Sequence, residues 1–241
     1  MSRQFLFFLL MICPFSISGC DFDGQTSGSA KTIVSEVRNI DNFNSLELTG
    51  NYVVTLENSD SCGIEILADE DIKKMVITEV TNNVLKVNTL IAGTGKRYPS
   101  VELRIYVPNL KSIKVTSSAK FMCNQPFVFK DLYVESSGAL KMNLELKGER
   151  LEGIFAGATN LNLRGSVEQV VFDIPGAGKI SAYELSIKDL SLKLSGASIA
   201  EVFVSGKLSV DISGACSVSY KGNPSEVFSN ISGLGRIKNA N

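Results

Sequence analysis

Asp173, Lys193 and Asp211 are the residues of this chain whose type and spacing come nearest to doing chemistry, because two carboxylates flanking a sugar ring are what glycoside hydrolysis needs. They occupy the same place in three successive copies of a repeat. If each copy adds a strand to a parallel stack, two coils set the carboxylates roughly 9.6 Å apart, near the upper end of the separation an inverting glycosidase uses. Alternating charges one coil apart are also the ordinary way to avoid like-charge contact on such a stack. An ion ladder and a carbohydrate-active site both remain open at this point. The chain has no histidine, which removes Ser-His-Asp and Cys-His catalysis together with the commonest metal ligand, and no cofactor is implied.

Two weaker groups suit binding. Asn124, Asn143 and Asn162 fall five residues after the repeat's small corner residue, where stacked amides either hydrogen-bond to one another or face a glycan. Lys96, Arg97 and Tyr98 lie in a Gly-rich loop and suit a carbohydrate or acidic partner; a plain exposed loop is the alternative. Asp69 to Lys74 reads as a helical turn with acids first and lysines last. It lacks the Asp-x-Asp-x-Asp spacing and glycine loop of a calcium site.

The elements that position these residues follow from a period of about nineteen. Leu132-Tyr-Val-Glu-Ser-Ser-Gly138-Ala139, Leu190-Ser-Leu-Lys-Leu-Ser-Gly196-Ala197 and Leu208-Ser-Val-Asp-Ile-Ser-Gly214-Ala215 are copies of one phrase. Apolar residues alternate within each copy, which is strand periodicity. A fixed period of this size marks a solenoid, whose units bury their apolar side only against neighbours. The fold class is therefore all-β: a single-stranded parallel β-helix of seven coils, a rod of roughly 34 Å at strand spacing. Six residues before the corner the register reads Ile113, Leu132, Leu151, Val170, Leu190, Leu208, Val227; four after it, Cys123, Met142, Leu161, Ile180, Ala200, Val218, Ile237. Ala119 takes the corner in the first coil, and the outward row three before it runs Thr116, Glu135, Ile154, Asp173, Lys193, Asp211, Asn230. The tight corner repeated on every coil is expected to need φ > 0, which glycine tolerates, and a bulky neighbour there would collide with its copy one coil away. Residues 31–112 match the register once, at Leu46, Leu48, Gly50 and Val54, and the rest predicts larger, irregular N-terminal coils closing the rod.

The Ser-Gly-Ala repeats, with Phe43-x-x-Leu46-x-Leu48-x-Gly50 and Val101-x-Leu-x-Ile-x-Val107-Pro-x-Leu110, resemble the head GIN domain family of auto-transporter adhesins over roughly residues 31–239. The resemblance implies a right-handed β-helix on an envelope lipoprotein of a Bacteroides-like bacterium. It carries over no catalytic motif.

Residues 1–19 form a lipoprotein signal: Arg3, an apolar run from Phe5 to Phe15, and Ile17-Ser18-Gly19-Cys20 as a lipobox. Cys20 is then the acylated mature N-terminus, residues 20–31 a polar flexible tether, and 32–241 one domain. Asp21 and Asp23 sit where related lipoproteins carry acidic surface-export signals. Loss of Arg3 takes the formal charge from −1 to −2, which suggests no nucleic-acid partner. Cys123 and Cys216 are five coils apart, roughly 24 Å, too far to bridge. The expected function is a lipid-anchored, non-enzymatic adhesin or assembly module of the cell envelope, probing a glycan or protein with its rod face; a purely structural envelope protein is the other reading. The final coil, Val227 to Ile237, lacks a cap, and Arg236 and Lys238 are placed to repel a stacked copy.

Overall fold

The computed structural model describes residues 33–90 and 100–241. A parallel β-solenoid of about seven turns, roughly 19 residues each, occupies the C-terminal two thirds. Its coils are built from β8 (Ser112–Val115), β9 (Ser118–Cys123), β10 (Phe127–Ser136), β11 (Ala139–Phe155), β12 (Ala158–Ile174), β13 (Ala177–Leu194), β14 (Ala197–Val204), β15 (Lys207–Ile212), β16 (Ser217–Lys221), β17 (Glu226–Ile231) and β18 (Arg236–Asn239). Each coil contributes to three sides. The first face holds the strand before the corner and the second the strand after it. The third is a short run such as Phe127–Phe129, Leu146–Gly148 and Gly165–Val167, again in parallel register.

The remaining strands are β1 (Ile33–Arg38), β2 (Ser45–Thr49), β3 (Asn51–Asn58), β4 (Gly63–Asp69), β5 (Val76–Thr81), β6 (Val84–Thr89) and β7 (Val101–Val107), with one helical turn, α1 (Glu70–Lys73). The turn forms where expected: Asp69 Oδ1 accepts from the Asp71 amide at 3.1 Å, and Lys74 pairs with Glu70 and Asp71. The larger irregular coils are replaced by something different. β2 and β3 form an ordinary coil that lies directly on β8 and β9. On its other side lie β6 and β7, which come later in sequence. Antiparallel β5 closes the first face and antiparallel β4 and β1 close the second. The 53 residues between β3 and β8 therefore go out to build the end of the rod and return. No arithmetic on a nineteen-residue period would account for them.

The predicted register is correct from Leu132 onward and two residues out in the first coil. Val134 pairs with Ile113 and Leu140 with Ala119, so Ser117, not Ala119, is the corner. Phe121, not Cys123, lies beside Met142. The cause is the exposed turn Asn124-Gln125-Pro126, which adds two residues where β11 and later strands run straight through. Asn58 bridges the gap: its side chain donates to the Val128 carbonyl at 2.9 Å and accepts from its amide at 2.7 Å, imitating a missing strand.

Packing explains the corner glycines from Gly138 to Gly214, whereas Gly233 in the last coil, at φ 124, uses glycine's backbone freedom. Gly138 and Gly196 do not have positive φ. A Cβ on Gly138 would stand 1.7 Å from the Ser117 carbonyl oxygen, and one on Gly196 1.9 Å from that of Gly176. Gly138, Gly157, Gly176, Gly196 and Gly214 each rest the α-carbon on the carbonyl of the coil beneath. Inside, leucine, isoleucine, valine and phenylalanine fill one continuous core from Phe43 to Val218. Cys216 is buried in it as a free thiol donating to the Gly196 carbonyl, and Cys123 is half-buried and unbridged.

Candidate functional site: the outward ladders

Parallel stacking turns each outward position into a row of side chains about 4.8 Å apart, so the surface chemistry is set by which residue types share a row. On the first face one row runs through the whole rod: Glu79, Lys86, Glu47, Lys114, Glu135, Ile154, Asp173, Lys193, Asp211, Asn230. The two-residue offset removes Thr116 from it and inserts Lys114. With that correction, charge alternates from Glu79 to Asp211 except where Ile154, 42% exposed, interrupts, and neutral Asn230 ends the row. Lys193 Nζ donates to Asp173 Oδ2 at 2.8 Å, Lys114 approaches Glu135 at 3.9 Å, and Asn230 donates to Asp211 at 3.3 Å. The hydrogen bond from Lys193 to Asp173, then the charges of Asp173 and Asp211, hold the lysine pKa above its usual value. The Asp173, Lys193, Asp211 trio is thus brought together as an ion ladder, each acid held by a neighbour in the same row.

On the second face the row three residues past the corner reads Glu102, Val53, Lys120, Lys141, Asn160, Lys179, Ile199, Ser217, Arg236. Lys120 and Lys141 are direct neighbours, and neither they nor Lys179 form an ion pair among the described residues. Two ammonium groups ~6 Å apart repel by about 0.7 kcal/mol at water's dielectric constant, less in salt. Beside this row stands Met122, Asn143, Asn162, Ser181, Glu201, in which Asn162 Nδ2 donates to Asn143 Oδ1 at 3.0 Å. Asn124 is not among them. The same offset moves it to the next row, where it donates to Glu57 at 3.2 Å. Sequence reasoning overlooked the lysine row, although Lys141, Asn160 and Lys179 each stand three residues after a corner glycine. Lys120 was hidden by the offset.

Elsewhere, a shallow cleft of about 500 Å³ is lined by Lys111, Lys130, Tyr133, Arg150 and Glu152. Burial, reinforced by Glu135 and Glu152, raises the Tyr133 pKa and keeps its phenol neutral. Arg150 is occupied by Glu152 and by Gln169 at 3.2 Å. No group of three or more metal-ligating residues gathers among the described residues. Cys20 and the loop residues Lys96, Arg97 and Tyr98 lie outside the described residues.

A family model described as "putative auto-transporter adhesin, head GIN domain" matches residues 42–224, from the capping region through the sixth coil. The chain belongs to the head GIN domain family. Solved structures share the fold. A putative adhesin from Bacteroides fragilis aligns with TM-score 0.78 at 18% identity, covering 87% of this chain and 98% of its own. A putative adhesin from Parabacteroides merdae gives 0.66 at 24% identity, covering 89% and 98%. A putative lipid binding protein from Parabacteroides distasonis gives 0.65 at 17%, covering 88% and 98%. No curated protein matches the chain. The head GIN assignment agrees with a surface or envelope location, and no helix among the described residues is long and apolar enough to cross a membrane.

Proposed function

We propose that this head GIN protein is a lipid-anchored adhesion module of the cell envelope that binds through an outward β-sheet and carries out no catalysis. The observation that carries the reading is the second face, where exposed Lys120, Lys141, Asn143, Asn160, Asn162 and Lys179 form a flat polar array across four coils. On the first-face row every lysine already has an acid on each side; an array of uncompensated donors supports a partner. The lipobox Ile17-Ser18-Gly19-Cys20 supports acylation at Cys20. The acids at Asp21 and Asp23 support presentation on the outer surface of the outer membrane.

The full-length chain in neutral detergent, applied to an array of glycans and host-matrix proteins, tests the reading. Saturable binding to at least one class is expected. A chain that binds none of them at micromolar concentration would leave a structural role in its place. For the anchor, Cys20→Ser is expected to abolish metabolic palmitate labelling, and unchanged labelling would refute acylation at that residue.

A further inference from the structure

The lysine row of the second face breaks the rule that the first face obeys at nearly every coil. Lys120 and Lys141 are registered neighbours of like charge, Lys179 continues the row two coils beyond Lys141, and Asn160 between them offers an amide in place of an acid. A substitution of one lysine by glutamate would relieve the repulsion, as happens on the opposite row, where lysine and acid alternate. The surroundings are also unusual. One side of the row is a smooth ledge of Ala158, Ala177 and Ala197, registered one above another, with exposed Ala139 just before the registered pair Leu140 and Thr159. The other side is the hydrogen-bonded pair Asn143 and Asn162, followed by Ser181.

Resting on the adhesive reading above, we propose that the second face binds an extended anionic polysaccharide lying across the strands, along the rod. Lys120, Lys141 and Lys179 meet its carboxylates, and Asn143, Asn160 and Asn162 meet its hydroxyl groups. The regular spacing favours a polymer over a single ion, because a row of cations one or two coils apart matches a ligand whose charges also repeat. The small alanine ledge lets a broad chain of rings approach without displacing side chains. The amides favour sugar over a lipid surface. Across the described coils from Lys120 to Lys179, Met122 is the one large apolar side chain in the alanine, lysine and asparagine rows; Ile199, 53% exposed, follows Lys179, and the ring of nearby Tyr183 is covered by Lys221 at 4.7 Å.

The test uses the full-length chain in neutral detergent and three probes: polygalacturonate, neutral dextran, and phosphatidylglycerol vesicles. Polygalacturonate is expected to bind and dextran not to. The triple variant Lys120→Gln, Lys141→Gln, Lys179→Gln is expected to bind polygalacturonate at least tenfold more weakly, with a shallower dependence of affinity on salt. Lys130→Gln, Lys147→Gln, Lys188→Gln removes the same charge away from the second face and is expected to stay within twofold of the parent. Equal losses in the two triples would overturn the proposal, since bulk charge would then explain the binding. Binding to vesicles but not to polygalacturonate would overturn it in favour of an anionic lipid surface. If neutral glycans or matrix proteins bind and the second-face triple binds them unchanged, this proposal fails while the adhesive reading stands. Absence of any ligand overturns both.

Discussion

The first and second faces are built by the same coils, at the same spacing, one strand apart, yet they treat charge in opposite ways. In the charged row of the first face each lysine has an acid above and below it, so no cation is left uncompensated. On the second, Lys120 and Lys141 stack with no acid between them, and Asn160 separates Lys141 from Lys179. Because the backbone geometry of the two is equivalent, the fold does not impose this difference. It is a property of the outward side chains alone, which a parallel stack can change without touching its core.

The corner between the faces offers the largest expected effect. Gly196→Val places a branched side chain where a Cβ already falls 1.9 Å from the Gly176 carbonyl oxygen, and is expected to cost about 3 kcal/mol or more. Ser191→Val, exposed on the first face, is expected to stay within about 0.5 kcal/mol. Thermal melts of the two variants check this; similar melting temperatures would contradict the close-packed corner.

The comparison itself predicts that one substitution has opposite signs on the two faces. Lys193→Glu puts three acids in succession with Asp173 and Asp211 and is expected to destabilise by about 1 kcal/mol. Lys141→Glu places an acid beside Lys120 and is expected to stabilise by about 0.3 kcal/mol. Denaturant titrations at low salt resolve the pair, and added salt should shrink both. If the two changes have the same sign, the rows do not differ as described.

A smaller effect is expected at the cap when pH falls. Glu36 has a lowered pKa because Arg38 hydrogen-bonds to it at 2.8 Å; Glu65 is lowered by Ser35 first and then by Arg104. A depressed carboxylate stabilises the folded state above its unfolded value of about 4.5 and loses that contribution as pH drops through the folded value. Hydrogen exchange should therefore show β1 and β4 loosening below about pH 4.5 while β11 to β13 stay protected. Simultaneous loss of both regions would count against it.

The smallest effect concerns the last coil, where Val227, Phe228 and Leu234 are exposed and Arg236 leans on Ser217 at 3.1 Å. Arg236→Val with Lys238→Val is expected to promote end-to-end association, visible by sedimentation velocity at high concentration. A double variant as monomeric as the parent would remove the gatekeeper role.

How much of this was legible depends on where a residue's row is set. From Leu132 onward each coil repeats its predecessor nearly residue for residue, so period and alternation together predict the strand pairs, the core and the ion ladder around Lys193. The first coil hides a two-residue excess in Asn124-Gln125-Pro126, and nothing in hydrophobic alternation reveals it, since a shift of two keeps apolar side chains inward. That one slip placed Asn124 in the wrong row and Lys120 outside its own. The cap was unreadable for another reason. Its strands stack out of sequence order, and a period assumes that order.

That out-of-order stacking governs how the molecule can be made. A chain that emerges from its N-terminus cannot wind this solenoid turn by turn from the start, because β2 and β3 receive their neighbours only after residues 84–123 have followed. About ninety residues must emerge before any coil is flanked on both sides, and the long-range closures among them make this the slow part of folding. Once the plug is seated, each further coil meets a finished template and adds with local contacts alone. On this geometry the head of the rod is expected to be the late-closing part, while coils from β11 onward can pair with their neighbours in sequence order.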